Sequence, residues 1–386
     1  MLQLIARRFL AALAATPLLA LCLFASATSA QAQEMPRTMI WTAYDLGASG
    51  YAEASAIADA FGREYGMRVR IQPSGSAIGR LQPILNGRAD IGFLGNEAFF
   101  ATEGLFDFAT RRFGPQDLRV LMGKVNSFGM AVAADAGIES VADVEGKRVA
   151  YPAANPSSSL KCDAMLAFAG LTRDDVEVVT FPTYAATMAS LSENKADVTC
   201  TVTATGQMYE LAESPRGIQW LDLDPNDEAG WERLNKVAPL FKPVSEAQGA
   251  GLSEDDPAQL MAYRYPVLTV RADMDDDTAY AVTKALDETY GIYKNATATA
   301  PRYEIEKAAV PPIDAPFHPG AVRYLKEIGV WNDASQQWNS DRLERLNALR
   351  AAWGETLEQG SDLDEDAFAD LWDKHREQAL AELEQN

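Results

Sequence analysis

Three short runs of glycine and hydroxyl residues are where this chain could do chemistry: Gly47-Ala48-Ser49-Gly50, Ser74-Gly75-Ser76 and Asn155-Pro156-Ser157-Ser158-Ser159. Glycine lets backbone N–H groups approach a ligand closely, and serine adds short hydroxyl donors. That chemistry is non-covalent capture of something small and negatively charged. Harder chemistry finds no support. The two histidines, His318 and His375, stand in no zinc spacing, and there is no paired-cysteine motif, G-x-S-x-G elbow, Walker loop or full dinucleotide fingerprint. Gly47 to Gly50 follows a strand, as a phosphate loop would, but lacks the lysine and the third glycine. The acidic run Asp273-Met274-Asp275-Asp276-Asp277 invites a calcium reading, yet it directly precedes a helical segment over 278–294, where acids cap the helix and oppose its dipole. His318 stands before Pro319-Gly320 and reads as a helix start. The expectation is a protein with no catalytic residues, no metal site and no cofactor, and therefore not an enzyme.

A doubled α/β pattern positions these runs. Residues 39–45 read as a buried strand, and Ala54, Ile57, Ala58, Phe61 and Tyr65 then recur at helical spacing up to Gly66. A strand over 68–71 follows. Ser74-Gly75-Ser76 opens a second helix, in which Pro83 is tolerable only near the first turn, and residues 89–94 form a third strand. The same order recurs as strand 147–152, polar loop 155–159, helix 160–169 with Cys162 in its first turn, strand 176–181, helix 183–193 and strand 197–203. Ala43-Tyr44 matches Ala150-Tyr151, and residues 87–91 match 194–198, both at an offset of 107. Alternating β and α elements predict parallel sheets flanked by helices, arranged as two similar lobes. In such sheets ligands sit beyond the carboxyl ends of the strands, where helix N-termini favour negative charge. Taken singly, the hydroxyl runs read as ordinary caps and turns; that alternative explains less well why both lobes carry them after corresponding strands. Residues 124–133 read as the strand leaving the first lobe and 265–270 as the strand returning to it. Two crossings are what a hinge needs. Between 206 and 263 lies a polar, acidic stretch attached to the second lobe.

The ends are of different character. Arg7 and Arg8 precede an almost wholly apolar run over 9–25, and Ala30-Gln31-Ala32 offers a small-x-small cleavage site, so residues 1–32 read as an export leader cut after Ala32. From about residue 333 the chain becomes helical and charged. Trp338, Leu343, Leu346, Leu349 and Trp353 fall on one face, and Phe368, Leu371, Trp372, Leu380 and Leu383 follow, stripes that suit packing against the lobes. The net charge is −21, and it becomes more negative once the leader's two arginines are removed. Such acidity argues against nucleic acid and anionic membranes as partners. It does not exclude a small anion, because screening over ~8 Å leaves the local lining of a cleft in control. Cys162 and Cys200 could pair in an exported protein or remain two buried thiols.

These residues resemble the solute-binding proteins of TAXI-type TRAP transporters. The resemblance rests on TAYDLGASGY over 42–51, on Pro73-Ser74-Gly75-Ser76 with Gly87-Arg88-Ala89-Asp90, and most specifically on FHPGAVRYLKEIGVW over 317–331. Many members carry a glycine-richer first loop than Gly47-Ala48-Ser49-Gly50, a departure that bears on ligand identity. The resemblance implies a type II periplasmic-binding-protein fold with a two-strand hinge. The expected division is lobe one over 33–130 and 266–335, lobe two over 131–265, and a helical C-terminal extension over 336–386. It also implies a monomer in the bacterial periplasm that delivers a small carboxylate, such as an oxo-acid, dicarboxylate or glutamate-like compound, to a TRAP permease driven by an ion gradient. Carried over by position, the ligand-binding residues are Gly47, Ser49, Gly50, Tyr51, Ser74, Gly75, Ser76 and Asn96 in lobe one. Lobe two supplies Ser157, Ser158, Ser159 and Thr201 or Thr203. Arg80, one turn past the Ser74 loop, either pairs the carboxylate or is a solvated helix arginine. On this reading hydroxyls and helix N-termini meet the ligand's charge with little help from basic side chains. Two other readings share the fold: a binding protein for an ABC importer of sulfonates or pyrimidine precursors, and an enzyme resembling porphobilinogen deaminase with a cofactor on Cys162 or Cys200.

Overall fold

A computed structural model of the chain describes residues 35–238 and 241–384; the leader and its cleavage site lie outside them. The first lobe opens with β1 (Thr38–Ala43), α1 (Ser49–Tyr65), β2 (Arg68–Pro73), α2 (Ala77–Leu85), β3 (Ile91–Leu94), α3 (Glu97–Glu103) and the long β4 (Leu118–Ala133). Each has a local cause. Ala54, Ile57, Ala60 and Phe61 form the buried stripe of α1, and Gly66 ends it in the left-handed region, where a Cβ would be penalised. The Ser76 side chain caps α2 by accepting from Gly79 N. Pro83, expected near the start of α2, instead lies in its last turn. There its missing N–H faces the Gly79 carbonyl, a residue without a side chain to crowd the ring, and its own carbonyl accepts from Arg88 N and Ala89 N as the chain leaves the helix.

The second lobe repeats the order with β5 (Arg148–Pro152), α4 (Pro156–Phe168), β6 (Glu177–Phe181), α5 (Tyr184–Ala189) and β7 (Val198–Thr201). Helix α4 begins four residues earlier than expected. The Asn155 side chain accepts from Ser158 N, and Pro156 at the first helical position needs no donor. Ser157 to Ser159 are therefore the first turn of a helix rather than a loop, and Cys162 falls in the second turn. The polar stretch that follows supplies α6 (Gly206–Ala212), β8 (Ile218–Leu221), α7 (Glu228–Val237) and β9 (Lys242–Glu246), before β10 (Ala258–Arg271) returns to lobe one.

Strand pairing makes the duplication explicit. In lobe one β1 lies between β2 and β3, all parallel; in lobe two β5 lies between β6 and β7, again parallel. Trp41 pairs with Ile71 and Ile91, and Val149 with Val178 and Val198. This register keeps the match of 87–91 with 194–198, where Gly87 and Asn194 share a positive φ. It moves the Ala43-Tyr44 match by one residue, since Trp41 corresponds to Val149. The sheet order is β2-β1-β3-β10-β4-β7-β5-β6, with β8 on β4 and β9 on β10. Strands β4 and β10 run antiparallel through both lobes, and their register shifts between Arg264 and Val267, around Pro266, which has no N–H to give a ladder. This is the type II periplasmic-binding arrangement of two α/β lobes on two shared strands.

Each lobe has its own core, one around Trp41, Phe61 and Phe93 and the other around Met130, Val149 and Met165. Cys162 and Cys200 are disulfide-bonded, with Cα atoms 5.4 Å apart, tying α4 to β7. Where the strands cross, buried Lys124 of β4 stands 3.3 Å from buried Glu53 of α1, and Arg302 clasps Glu246 of β9 at 2.6 and 2.8 Å. The remaining helices are α8 (Asp276–Glu288), capped by Asp275, α9 (Tyr290–Tyr293), α10 (Ile305–Ala308), α11 (Pro319–Glu327), capped by His318, α12 (Asp333–Gln359) and α13 (Glu365–Glu384). The last two pack on each other through Trp353, Phe368 and Trp372, and on lobe one through Trp353 at Gly114, Trp372 at Gly104, and Arg342, Arg345 and Arg376, which converge on the buried carboxylate of Glu103. Among the described residues no helix is long and apolar enough to cross a membrane.

Candidate functional site

The carboxyl ends of the strands in both lobes face one another, and hydrogen bonds join them. Ala77 N donates to Ala154 O at 3.0 Å and Gly206 N to Gly47 O at 3.1 Å. Asn96 N donates to Ser157 Oγ at 3.0 Å, and Ala185 N to Asp45 Oδ2 at 3.1 Å. The lobes are therefore closed on each other. At the first turn of α5 the negative group is the protein's own Asp45, so that helix start does not await a ligand.

Arg80, Glu97, Lys161 and Asp314 are buried at this boundary, beside the Tyr44 phenol. Arg80 of α2 donates Nε to Glu97 Oε1 at 2.7 Å and Nη1 to Ser74 O at 2.9 Å, and its guanidinium lies 3.6 Å from the centre of the Tyr44 ring. Burial opposes the Arg80 charge, but Glu97 beside it holds the group protonated. Burial likewise keeps the Tyr44 phenol un-ionised. Asn96 Nδ2 donates to Asp314 Oδ2 at 3.1 Å. Across the boundary Lys161 Nζ, on α4, donates to Ser157 Oγ at 2.8 Å and Ser157 O at 2.9 Å, with Tyr263, Phe128 and Phe241 around it. Burial pulls Lys161 down to about 7, with Glu97 and Asp314 pulling the other way. Burial pushes Asp314 up to about 7, against its bond from Asn96. Gly95 lets these groups meet: a Cβ there would stand 2.7 Å from Tyr44 Oη, 2.8 Å from Ser157 Oγ and 2.9 Å from Glu97 Oε2.

Most of the residues singled out from the sequence come to this boundary, in unequal roles. Gly47 and Gly75 lie against lobe two, at Gln207 and at Thr183 and Tyr184, and Gly50 lies under the Tyr265 hydroxyl. Ser49 is buried with its Oγ unpartnered. Ser74 and Ser76 bond to each other and to the α2 backbone. Arg80 and Asn96 stand at the centre with Ser157. Tyr51 packs against the core of lobe one instead. Ser158 Oγ turns to Cys200 O within lobe two, and Ser159 beside it is half-buried. Thr201 bonds to Tyr184 and Thr205, and Thr203 to Gln248 O. Sequence reading passed over Tyr44, Glu97, Lys161 and Asp314. Lysine at 161 was visible as the one cation inside an apolar helix, four residues after Ser157. Asp314 carried no such signal.

Several buried polar atoms in this region have no partner among the described residues: Arg80 Nη2, Asn96 Oδ1, Asn126 Nδ2, Asn155 Nδ2 and Ser49 Oγ. Buried donors and acceptors are rarely left unmatched, so they are available to a small polar molecule. Among the described residues no group of three or more His, Cys, Asp or Glu could hold a metal ion.

The profile of the NMT1-like family matches residues 46–329, a span that contains Arg80, Asn96, Ser157, Lys161 and Asp314. The chain belongs to the NMT1-like family. Solved structures of similar shape include a protein from Bordetella bronchiseptica RB50, at 16% identity over 77% of this NMT1-like chain and 90% of that one, TM-score 0.45. An ABC transporter periplasmic binding protein from Brucella ovis, with glutathione bound, matches at 15% identity over 66% and 70%, TM-score 0.42. The alkanesulfonate-binding protein SsuA from Xanthomonas axonopodis pv. citri, bound to MOPS, matches at 16% identity over 80% and 85%, TM-score 0.39. This NMT1-like protein builds its two α/β lobes on the shared strands β4 and β10.

Proposed function

We propose that the protein captures a small organic anion between its lobes in the periplasm and presents it to a membrane permease, without catalysing a reaction. Lys161 carries this reading. It is buried at the lobe boundary, and among the described residues no carboxylate lies within ion-pair distance of it. A buried cation without a counter-ion is strongly disfavoured; a ligand carboxylate beside Nζ would restore the balance. Arg80 cannot do this alone, since Glu97 already neutralises it, but its free Nη2 offers the same carboxylate a second, directional donor. A monocarboxylic oxo-acid, a dicarboxylate or a glutamate-like compound suits these donors. The TAXI-type sequence pattern over 42–51 and 317–331 favours an ion-gradient-driven TRAP permease as the receiving partner.

The test is mass spectrometry of compounds released on denaturing freshly purified protein, followed by calorimetric titration with what is found. A carboxylate bound with micromolar or tighter affinity supports the reading. Recovery of a cationic or uncharged solute as the tight ligand would overturn it.

A further inference from the structure

Asp314 lies between Pro312 and Pro316 in the loop before α11, and it is 5% exposed. No lysine or arginine comes within ion-pair distance of its carboxylate among the described residues. Arg342 approaches from α12 but donates Nη2 to the Asp314 carbonyl at 2.9 Å and pairs Nη1 with Glu103 at 3.0 Å. Arg264 faces it from β10, Glu97 from α3 and Lys161 from α4. Lys161 is linked to Asp314 by a relay rather than by contact: Asp314 Oδ2 accepts from Asn96 Nδ2, Asn96 N donates to Ser157 Oγ, and that oxygen also accepts from Lys161 Nζ.

Counting charge at the boundary decides what such a carboxylate must do. Arg80 and Lys161 supply two positive charges, and Glu97 takes one. A bound monoanion takes the second. Arg264 and Arg342 stand near but are bonded to backbone carbonyls and to Glu103, so Asp314 would then be a buried carboxylate with no cation in ion-pair contact, which protein interiors avoid by protonation. We infer that the closed, solute-loaded cleft holds one proton on Asp314, taken from solvent as the lobes shut, so that capture of the anion is a proton-coupled step. The proton resides on Oδ1, because Oδ2 accepts from Asn96. Burial already pushes this carboxyl up to about 7, and a neighbouring anion would push it further. In an open, hydrated cleft the same carboxyl would ionise near its ordinary value of ~3.9. Because its pKa is higher in the closed complex, affinity rises as pH falls through that upper value and levels off only near the lower one. Within that window the dissociation constant falls by up to about tenfold per pH unit.

This inference rests on the anion reading above, and the experiment separates the two. Pyruvate, 2-oxoglutarate and L-glutamate are titrated calorimetrically into the mature protein near neutral pH, in phosphate and in Tris, whose ionisation heats differ. For any probe that binds, the expected result is uptake of about one proton per site and tighter binding at lower pH. In Asp314→Asn the probe still binds, but uptake falls to near zero and the pH profile flattens. Binding to the wild-type protein with no proton uptake overturns this inference and leaves the anion reading standing. Unchanged uptake in Asp314→Asn overturns the assignment to Asp314. If no probe binds, the anion reading fails and the inference falls with it. The wild-type comparison decides the matter even if the variant does not fold.

Discussion

Ser157 Oγ of lobe two accepts the Asn96 backbone N–H of lobe one at 3.0 Å while also accepting from Lys161 Nζ at 2.8 Å. One hydroxyl thus fastens the lobes and positions the buried cation. Ser157→Ala should weaken solute binding by roughly 10- to 150-fold, the equivalent of ~1.5–3 kcal/mol for a hydrogen bond involving a charged group. Ser158→Ala should leave affinity unchanged, because Ser158 Oγ bonds to Cys200 O inside lobe two. Titration calorimetry on the two variants makes the comparison, and equal losses would contradict this division of roles.

Lys161→Met removes the buried charge but keeps a similar length of side chain. Binding of an anionic solute should fall by about 30-fold or more, in line with ~2–5 kcal/mol for truncating a buried charged partner. Stability without ligand should hold or rise, since no buried ion pair is broken. The sign with pH is also fixed. Burial holds Lys161 at about 7 in the folded chain, below its unfolded ~10.4. The unfolded state therefore binds more protons between those values, and this lysine's contribution makes stability rise with pH across that window. Denaturant melts over the window should show Lys161→Met lacking that component.

The Cys162–Cys200 bond spans 38 residues of sequence and holds α4, with Ser157 and Lys161, against β7. Thiol titration of unfolded, unreduced protein should find no free thiol from this pair. Cys200→Ser should lower stability by about 2–4 kcal/mol on the chain-entropy account, measured by urea unfolding.

Glu103 is where the C-terminal helices dock. Burial alone would raise its carboxyl, but the hydrogen bond from Arg345 and the charges of Arg342, Arg345 and Arg376 bring it below the ordinary value. A depressed carboxylate stabilises the fold above its unfolded pKa of ~4.3 and loses that contribution as pH falls through the folded value. Acid should therefore loosen α12 and α13 first, seen as early loss of hydrogen-exchange protection in those helices. Glu103→Gln should reproduce the loosening at neutral pH at a cost of about 3 kcal/mol.

The frame of the molecule was readable from its residues because periodicity reports on burial. The stripe Ala54, Ile57 and Phe61 predicts α1, and the repeated order predicts two lobes whose strands pair identically. Caps were less readable: Asn155 starting α4 early turned a supposed loop into a helical turn. At the site, Arg80 and Asn96 could be proposed because they follow recognisable strand ends. Lys161 and Asp314 could not, being some 150 positions apart and joined only through Asn96 and Ser157. A lone lysine in an apolar helix and an aspartate among prolines carry no spacing that announces a pair.

The family match stops at residue 329, and anyone trimming this protein for crystallisation would be tempted to end it there. Such a cut would remove Arg342, whose guanidinium holds the Asp314 carbonyl, and Asn339, whose Oδ1 accepts from Phe317 N. It would also strip three arginines from Glu103 and uncover Gly104, over which Trp372 closes. A shortened chain could then purify as a folded, well-behaved binding protein and yet report the wrong solute, or none.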